Sequence, residues 1–339
     1  MLRLPPFTLE RPSTAKDAAQ ALADHPDARV VAGGTDLYPN MKRRHQMAST
    51  VVSLANVDGL VGVHGKPGEE VRIGAMTTLS DVAAHPTIVE AYPALAQAIT
   101  SISSPVLRNM GTIGGNLCLD TRCTYYNQNE EWRRSINYCM KAEGEVCWVA
   151  PGSPRCWAIS ASDSAPMMCA LEARVKLVGP EGERVIPVYD LYQDDGIAYL
   201  TKAREEILTE VILPPVNGAK TAYWKLRRRG SIDFAVLTVA VSLDVAADQS
   251  VEQARVFLGA VNSFPSPATD VVEAIVGNPI DADRIAEAAT KARKAATPMD
   301  NTDFVARWRG QVTGKYVEAA LREAAGLEEE RLAPKHARF

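Results

Sequence analysis

The sequence predicts an α+β protein of two domains, and three observations carry that expectation. Short β-type runs and short helical stretches alternate as far as Pro214-Pro215-Val216-Asn217-Gly218, whose prolines and glycine mark a boundary. Beyond it the order changes, with three strand-like runs first and two helical patterns after them. Neither of two glycine turns in the first part has the G-x-G-x-x-G or G-x-x-x-x-G-K-[ST] spacing of the common nucleotide folds, so a Rossmann domain is not expected.

Taken in order, Ala15 to Ala23 is amphipathic at helical spacing, with Ser13 as the expected N-cap and His25-Pro26 as the stop. Ala28-Arg29-Val30-Val31-Ala32 is a brief strand that empties into Gly33-Gly34-Thr35-Asp36-Leu37. Val51 to Leu54 and Glu70 to Gly74 read as strands, and helices are expected to begin at Thr78 and Tyr92, the second ending at Ser103-Ser104-Pro105. The second glycine turn, Gly111-Thr112-Ile113-Gly114-Gly115-Asn116, follows about eighty residues after the first. Ala173 to Val178 alternates as a half-buried strand should, Gly179-Pro180-Glu181-Gly182 is its turn, and Arg184 to Val188 returns. Ile207 to Leu213 is a further strand. After the boundary, Thr221 to Leu226, Ala235 to Val241 and Ala254 to Val261 read as strands, and Asp283 to Lys294 and Asp303 to Ala324 as helices.

An apolar fraction of 46% suits a globular chain with a real core. The formal charge of −4 argues against nucleic acid or an anionic membrane as the main partner. Two basic runs, Lys42-Arg43-Arg44 and Lys225-Leu226-Arg227-Arg228-Arg229, read as solvated faces or phosphate contacts. The N-terminus lacks the apolar run of a signal peptide, and no stretch reaches the ~20 apolar residues of a membrane span. A cytoplasmic location is therefore expected, where thiols stay reduced.

The chemistry concentrates between Arg108 and Pro166. The second glycine turn is followed by cysteines at 118, 123, 139, 147 and 156, five of the six in the chain. Glycine turns bring backbone N–H groups up to phosphate, and thiolates bind iron or zinc, so the combination suggests a redox protein. The gaps of fifteen, seven and eight residues from Cys123 onward match neither a zinc ribbon nor a bacterial ferredoxin. On spacing alone an iron–sulfur cluster, a zinc site and unligated thiols all stay open, as does an ordinary tight turn for the first glycine loop. Cys118 and Cys169 read as small buried hydrophobes. The five histidines are scattered and the carboxylates form no fixed pair, so no catalytic residue is expected on this chain.

At these residues the chain resembles the flavin subunits of molybdenum hydroxylases, the xanthine dehydrogenase and carbon monoxide dehydrogenase group. The likeness rests on the two loops together, on Asp163-Ser164-Ala165-Pro166, and on a C-terminal domain opening near Tyr223-Trp224-Lys225, and it spans nearly the whole chain. It implies an FAD-binding fold of two α+β subdomains (PCMH, vanillyl-alcohol-oxidase-like) over residues 1–217, a C-terminal α+β domain over 218–328 covering the flavin, and a tail at 329–339. It also implies that Gly33, Gly34, Gly114 and Gly115 offer amides to the pyrophosphate, that Thr35 and Thr112 supply hydroxyls, and that Ala32, Asp36 and Leu37 complete the first loop. Asn116 and Asp163 look like polar contacts to the ribityl or adenosine half. Lys225 is similar to a family lysine near the isoalloxazine; its plainer reading is a surface lysine on a strand.

Most of the family lacks the cysteine insertion at about 118–160. Asp120 to Gln128 with three further cysteines resembles the β subunits of 4-hydroxybenzoyl-CoA reductases, where such an insertion holds a 4Fe-4S cluster. The implied ligands are Cys123, Cys139, Cys147 and Cys156. The implied function is electron relay between a ferredoxin-like donor, the cluster, FAD, and partner subunits carrying 2Fe-2S centres and the molybdenum cofactor. A doubled heterotrimer would carry out reductive dehydroxylation of an aromatic CoA ester. Cluster loop and flavin cradle are expected to be separate features. Two other readings stand beside this one: a flavin subunit of a hydroxylase oxidising an aromatic or N-heterocyclic substrate, and a zinc-stabilised binding or assembly protein with no redox role.

Overall fold

The structure, a computed structural model, describes residues 2–216 and 218–327. The tail expected at 329–339, the last residue of the expected C-terminal domain and Asn217 at the boundary lie outside the described residues.

The first subdomain is built from β1 (Thr8–Glu10), α1 (Ala15–Asp24), β2 (Arg29–Val31), α2 (Leu37–Lys42) and β3 (Thr50–Ser53). Its three strands form a parallel sheet in the order β1-β3-β2. The mixed fold of an FAD-binding domain followed by a C-terminal domain is as expected; within it this small unit is parallel, and β1 was not foreseen because it is too short to show a hydrophobic period. Ala18, Ala19 and Leu22 of α1 pack with Val52 and Leu54. Thr14 caps that helix in place of the expected Ser13, its Oγ1 accepting the Asp17 N–H at 3.0 Å.

The second subdomain carries β4 (Val63–His64), β5 (Val71–Gly74), α3 (Leu79–Ala84), α4 (Pro86–Ala91), α5 (Pro93–Thr100), α6 (Pro105–Arg108) and α7 (Ile113–Leu117). After α8 (Glu130–Ser135), inside the cysteine insertion, it continues with α9 (Ser164–Ala170), β6 (Arg174–Gly179), β7 (Gly182–Pro187) and β8 (Ile207–Leu213). The sheet is antiparallel in the order β4-β5-β8-β6-β7. Its middle strand β8 is buried along nearly its whole length, which explains the apolar run Ile-Leu-Thr-Glu-Val-Ile-Leu. The Met167 to Leu171 run belongs to α9 and its C-cap, a helix buried on every side.

The C-terminal domain has β9 (Lys220–Leu226), β10 (Leu237–Val245), β11 (Val251–Gly259), β12 (Ser266–Pro267), α10 (Thr269–Ile275), α11 (Ala282–Lys291) and α12 (Ala306–Ala325). The antiparallel order is β12-β11-β10-β9. Side chains alternate between faces with period two. Ala222, Trp224, Leu237, Val239, Val241 and Leu243 enter the domain's own core, while Tyr223 and Ala240, on the other face, join the core of the second subdomain. At Gly259 a Cβ would come 2.7 Å from Pro166 Cγ, so α9 packs on bare backbone there.

Arg309 of α12 is wholly buried with only oxygen acceptors around it. Nε donates to Val236 O at 3.1 Å, Nη1 to Met299 O at 3.0 Å, and Nη2 to Ala260 O. Burial depresses its pKa to about 10. Arg309→Met leaves these carbonyls without a donor and is expected to cost on the order of 3 kcal/mol. Urea unfolding measures it, and an unchanged midpoint would show that the guanidinium holds nothing together.

Candidate functional site

The first glycine loop leaves β2 and turns into α2, with Gly34 in the left-handed region at φ +71°. A Cβ on Gly33 would fall on the carbonyl oxygen of Met110, so the first loop lies backbone to backbone against the second. The Cβ direction of Gly115 ends 3.9 Å from Ala32 Cβ, and that of Gly111 ends 3.5 Å from Thr35 Oγ1. Two loops about eighty residues apart thus make one feature.

Their amides differ. The N–H groups of Ala32, Gly33, Gly34, Thr35, Asp36 and Leu37 donate to no group among the described residues. Such a consecutive set, half-buried around a turn, suits a multiply charged anion. In the second loop, Ile113 N–H donates to Thr77 O at 3.1 Å, Gly114 N–H to Ala75 O at 2.9 Å, and Gly115 N–H to Thr112 Oγ1 at 3.1 Å. The expectation that Gly114 and Gly115 offer amides to a pyrophosphate is therefore corrected, since those donors are engaged within the chain. Gly114 is glycine for packing, because its Cβ would lie 2.7 Å from that of Ala75. Thr112 caps α7 and is buried.

Asn116, Asp163 and Lys225 are all buried, Asp163 and Lys225 as a pair and Asn116 in a separate set of hydrogen bonds with Ser162 and Ser164. The period of β9 puts Lys225 on the face of Tyr223, toward the second subdomain. Lys225 Nζ stands 2.7 Å from Asp163 Oδ2 and donates to Ser101 O at 3.1 Å, while Tyr223 OH donates to Asp163 Oδ1 at 3.4 Å. Lys225 is 4% exposed, so the surface-lysine reading does not hold. Burial pushes Asp163 up and Lys225 down, and the pairing works against both. Asp163 is thus engaged by protein partners rather than left open as a cofactor contact. Asn116 Oδ1 accepts from Ser164 Oγ at 2.6 Å and Ser162 Oγ at 3.0 Å, and its Nδ2 has no hydrogen-bond partner among the described residues.

Cys123, Cys139, Cys147 and Cys156 are all buried and line one pocket, with Tyr126 and Lys141 in its wall. Asn137 and Tyr138, both left-handed at φ +57°, turn the chain directly before Cys139. Burial raises the Cys123 thiol to about 11 and the Cys156 thiol to about 12, so metal binding there would displace protons. Among the described residues no three His, Cys, Asp or Glu side chains stand close enough to hold a single metal ion. Tetrahedral zinc with bonds of ~2.3 Å draws its sulfurs closer together than a cube that binds each thiolate at a different iron. Cys169 is buried in the apolar core, as read from the sequence, whereas Cys118 is half-buried and packs against it.

The insertion is seated, not free. Arg122, beside Cys123, forms an ion pair with Asp36 of the first loop, and Asn40 Nδ2 donates to the same carboxylate at 2.9 Å. Burial raises the pKa of Asp36 while the Arg122 charge opposes it. The cysteine insertion and the cradle are therefore joined, contrary to their expected separateness. Tyr126 OH donates to His45 O at 3.1 Å, Thr124 N–H to Asn301 O at 2.8 Å, and Asn301 Nδ2 to Trp157 O at 2.6 Å. A cavity of about 260 Å³ opens beside Arg122, with Thr124, Ala161, Phe234 and Asp303 in its lining. Arg122, Lys141 and Asn301 were not singled out from the sequence, where only adjacence to cysteine marks Arg122.

Three packed units with an amide cradle between the first two describe a dinucleotide-cofactor protein. Comparison with known proteins gives the family. The profile described as "FAD binding domain in molybdopterin dehydrogenase" matches residues 5–216, and that described as "CO dehydrogenase flavoprotein C-terminal domain" matches residues 221–324. The aldehyde oxidoreductase FAD-binding subunit PaoB of Escherichia coli (strain K12) is 33% identical over 76% of this chain and 82% of its own. The carbon monoxide dehydrogenase medium chain of Afipia carboxidovorans is 29% identical over 94% and 96%. The solved structure of reconstituted CO dehydrogenase from Oligotropha carboxidovorans contains a chain that superposes with a TM-score of 0.77 at 27% identity, over 96% of this chain and 100% of that one. The chain belongs to the FAD-binding medium subunits of the xanthine dehydrogenase and CO dehydrogenase family, as an oxidoreductase subunit. No helix among the described residues is long and apolar enough to cross a membrane.

Gly33→Ala is expected to push the two loops apart and reduce bound FAD several-fold, read as flavin absorbance per chain after desalting. Full flavin content in that variant would show that the close approach at Met110 is not needed for the cradle.

Proposed function

We propose that the chain is the FAD and iron–sulfur electron-relay subunit of a molybdenum-containing complex resembling 4-hydroxybenzoyl-CoA reductase. The observation that carries this reading is the convergence of Cys123, Cys139, Cys147 and Cys156 on one pocket tied to the cradle through Arg122 and Asp36. When bound, a flavin exchanges electrons singly or in pairs and a 4Fe-4S cluster one at a time, so together they connect carriers of both kinds. The amides of Ala32, Gly33, Gly34, Thr35, Asp36 and Leu37 hold the pyrophosphate of FAD, and the four cysteines hold the cluster. Asn116 keeps an Nδ2 donor for the cofactor, and the Lys225 and Asp163 pair sets the C-terminal domain against the second subdomain. The cavity beside Arg122 receives a further part of the cofactor.

The substrate site lies on a partner. The complex pairs this chain with a molybdenum-cofactor subunit and a 2Fe-2S subunit in a doubled heterotrimer, in the cytoplasm, with a ferredoxin-like donor delivering electrons for reductive dehydroxylation of an aromatic CoA ester. The names of the relatives, an aldehyde oxidoreductase and a carbon monoxide dehydrogenase, favour a second reading in which the same chain serves an oxidative hydroxylase. Anaerobic mixing separates the two: an aromatic CoA ester re-oxidises the reduced complex in the first case, and an oxidisable aromatic or N-heterocycle bleaches the flavin in the second.

Anaerobically purified protein is expected to carry one FAD with about four irons and four sulfides per chain. Zinc without iron would eliminate the relay. Cys139→Ser, far in sequence from Arg122, is expected to remove the broad visible absorption of the cluster while at least half of the FAD stays bound.

A further inference from the structure

We infer that Lys141 is the electrostatic partner of the cluster held by the four cysteines and keeps its reduction potential high enough to accept an electron. This rests on the cluster reading above. Lys141 is the one charged residue lining the thiol pocket among the described residues, and no carboxylate lines it. Its side chain is 6% exposed, so its charge is little screened by water. The ammonium is held by Asp120 Oδ1 at 2.8 Å and Gly196 O at 2.7 Å, and lies over the rings of Tyr126 and Tyr199 at 5.1 and 5.6 Å from their centroids. All four contacts hold the ammonium in place beside the thiol pocket.

Gly196 ties this charge to a ligand. Its N–H donates to Cys156 O at 3.0 Å, and a Cβ on it would stand 2.7 Å from Cys156 Sγ and from Ala158 N, so only glycine lets the residue whose carbonyl holds Lys141 pack beside that sulfur. The Ala158 N–H points at the same sulfur, 3.4 Å away. A cluster with four thiolates is an anion in both redox states and gains one more negative charge on reduction, without a proton. A fixed cation in the wall stabilises the reduced state more than the oxidised one, and hydrogen bonds to sulfur act in the same sense. Asp120, outside the pocket lining, partly offsets the ammonium and so sets how much of its charge the cluster feels.

The test is a mediated reductive titration of the anaerobically purified complex, with the reduced cluster followed by electron spin resonance. Lys141→Met is expected to lower the midpoint by at least tenfold in the reduction equilibrium, ~59 mV for a one-electron couple. Asp120→Asn leaves the ammonium uncompensated and is expected to raise it, while Lys141→Arg stays near the parent value. Opposite shifts support the inference, because a merely structural role moves both variants the same way or loses iron from both. If Lys141→Met retains no iron, Asp120→Asn decides alone, and a midpoint unchanged or lowered there overturns the inference. A parent protein without iron and sulfide removes the cluster reading as well; a parent cluster whose midpoint ignores both substitutions removes only the role of Lys141.

Discussion

A carboxylate and an ammonium shut away from water, Asp163 and Lys225, join the second subdomain to the C-terminal domain. Taking two charges out of water costs several kcal/mol per ion, and attraction offsets that only with good geometry and further hydrogen bonds. Both conditions are met, since Tyr223 serves the carboxylate and Ser101 O the ammonium. Asp163 stands at the start of α9, Lys225 lies on β9, and Ser101 ends α5. The pair therefore fixes three elements at once, and from Ser101 the chain passes through α6 directly into the second glycine loop.

That second loop explains why the cradle needs two glycine turns. Its own amides are engaged by Ala75, Thr77 and Thr112, and it contributes shape. Gly33 rests on the Met110 carbonyl, and Gly114 presses on Ala75 where β5 ends, so the first loop is propped from below by backbone. A propped loop keeps its amides converged without a ligand, which lowers the ordering cost of binding one. Hydrogen-bonding capacity and rigidity are thus divided between two segments far apart in sequence.

Residue types at recognisable spacings were legible in the sequence, and side-chain partners were not. The period-two runs gave β6 with β7, β8 and the C-terminal strands, and the glycine pairs and cysteines marked the places where cradle and thiol pocket stand. In the first subdomain β2 and β3 were legible as strands, but β1, with three residues, escaped, and with it the parallel pairing of both neighbours through β3. Which glycine turn keeps its amides depends on tertiary bonds to Ala75 and Thr77, which leave no local trace. Lys225 sits in a basic run that looks solvated, yet strand alternation turns it inward while Arg228 and Arg229 stay exposed. Arg122, Lys141 and Asn301 matter through contacts with segments tens to more than a hundred residues away.

The seating of the insertion decides what kind of site the thiols make. Apart from α8 it has no regular element to stiffen it, so its order comes from the bodies on either side. Next to Cys123, Thr124 donates to Asn301 O; next to Cys156, Trp157 O accepts from Asn301 Nδ2. Asn301 is in turn placed by Arg309, whose guanidinium also holds Met299 O and reaches Val236 and Ala260 at two strand ends. Two of the four cysteines are thereby referred to the core of the C-terminal domain, while Arg122 refers the same stretch to Asp36 and the cradle. The distance between thiol pocket and cradle is then set by packed contacts at a junction of three units rather than by the reach of a loop. Electron transfer by tunnelling falls steeply with distance, so a relay built on this chain gains a fixed gap from the covering domain as much as from its ligands.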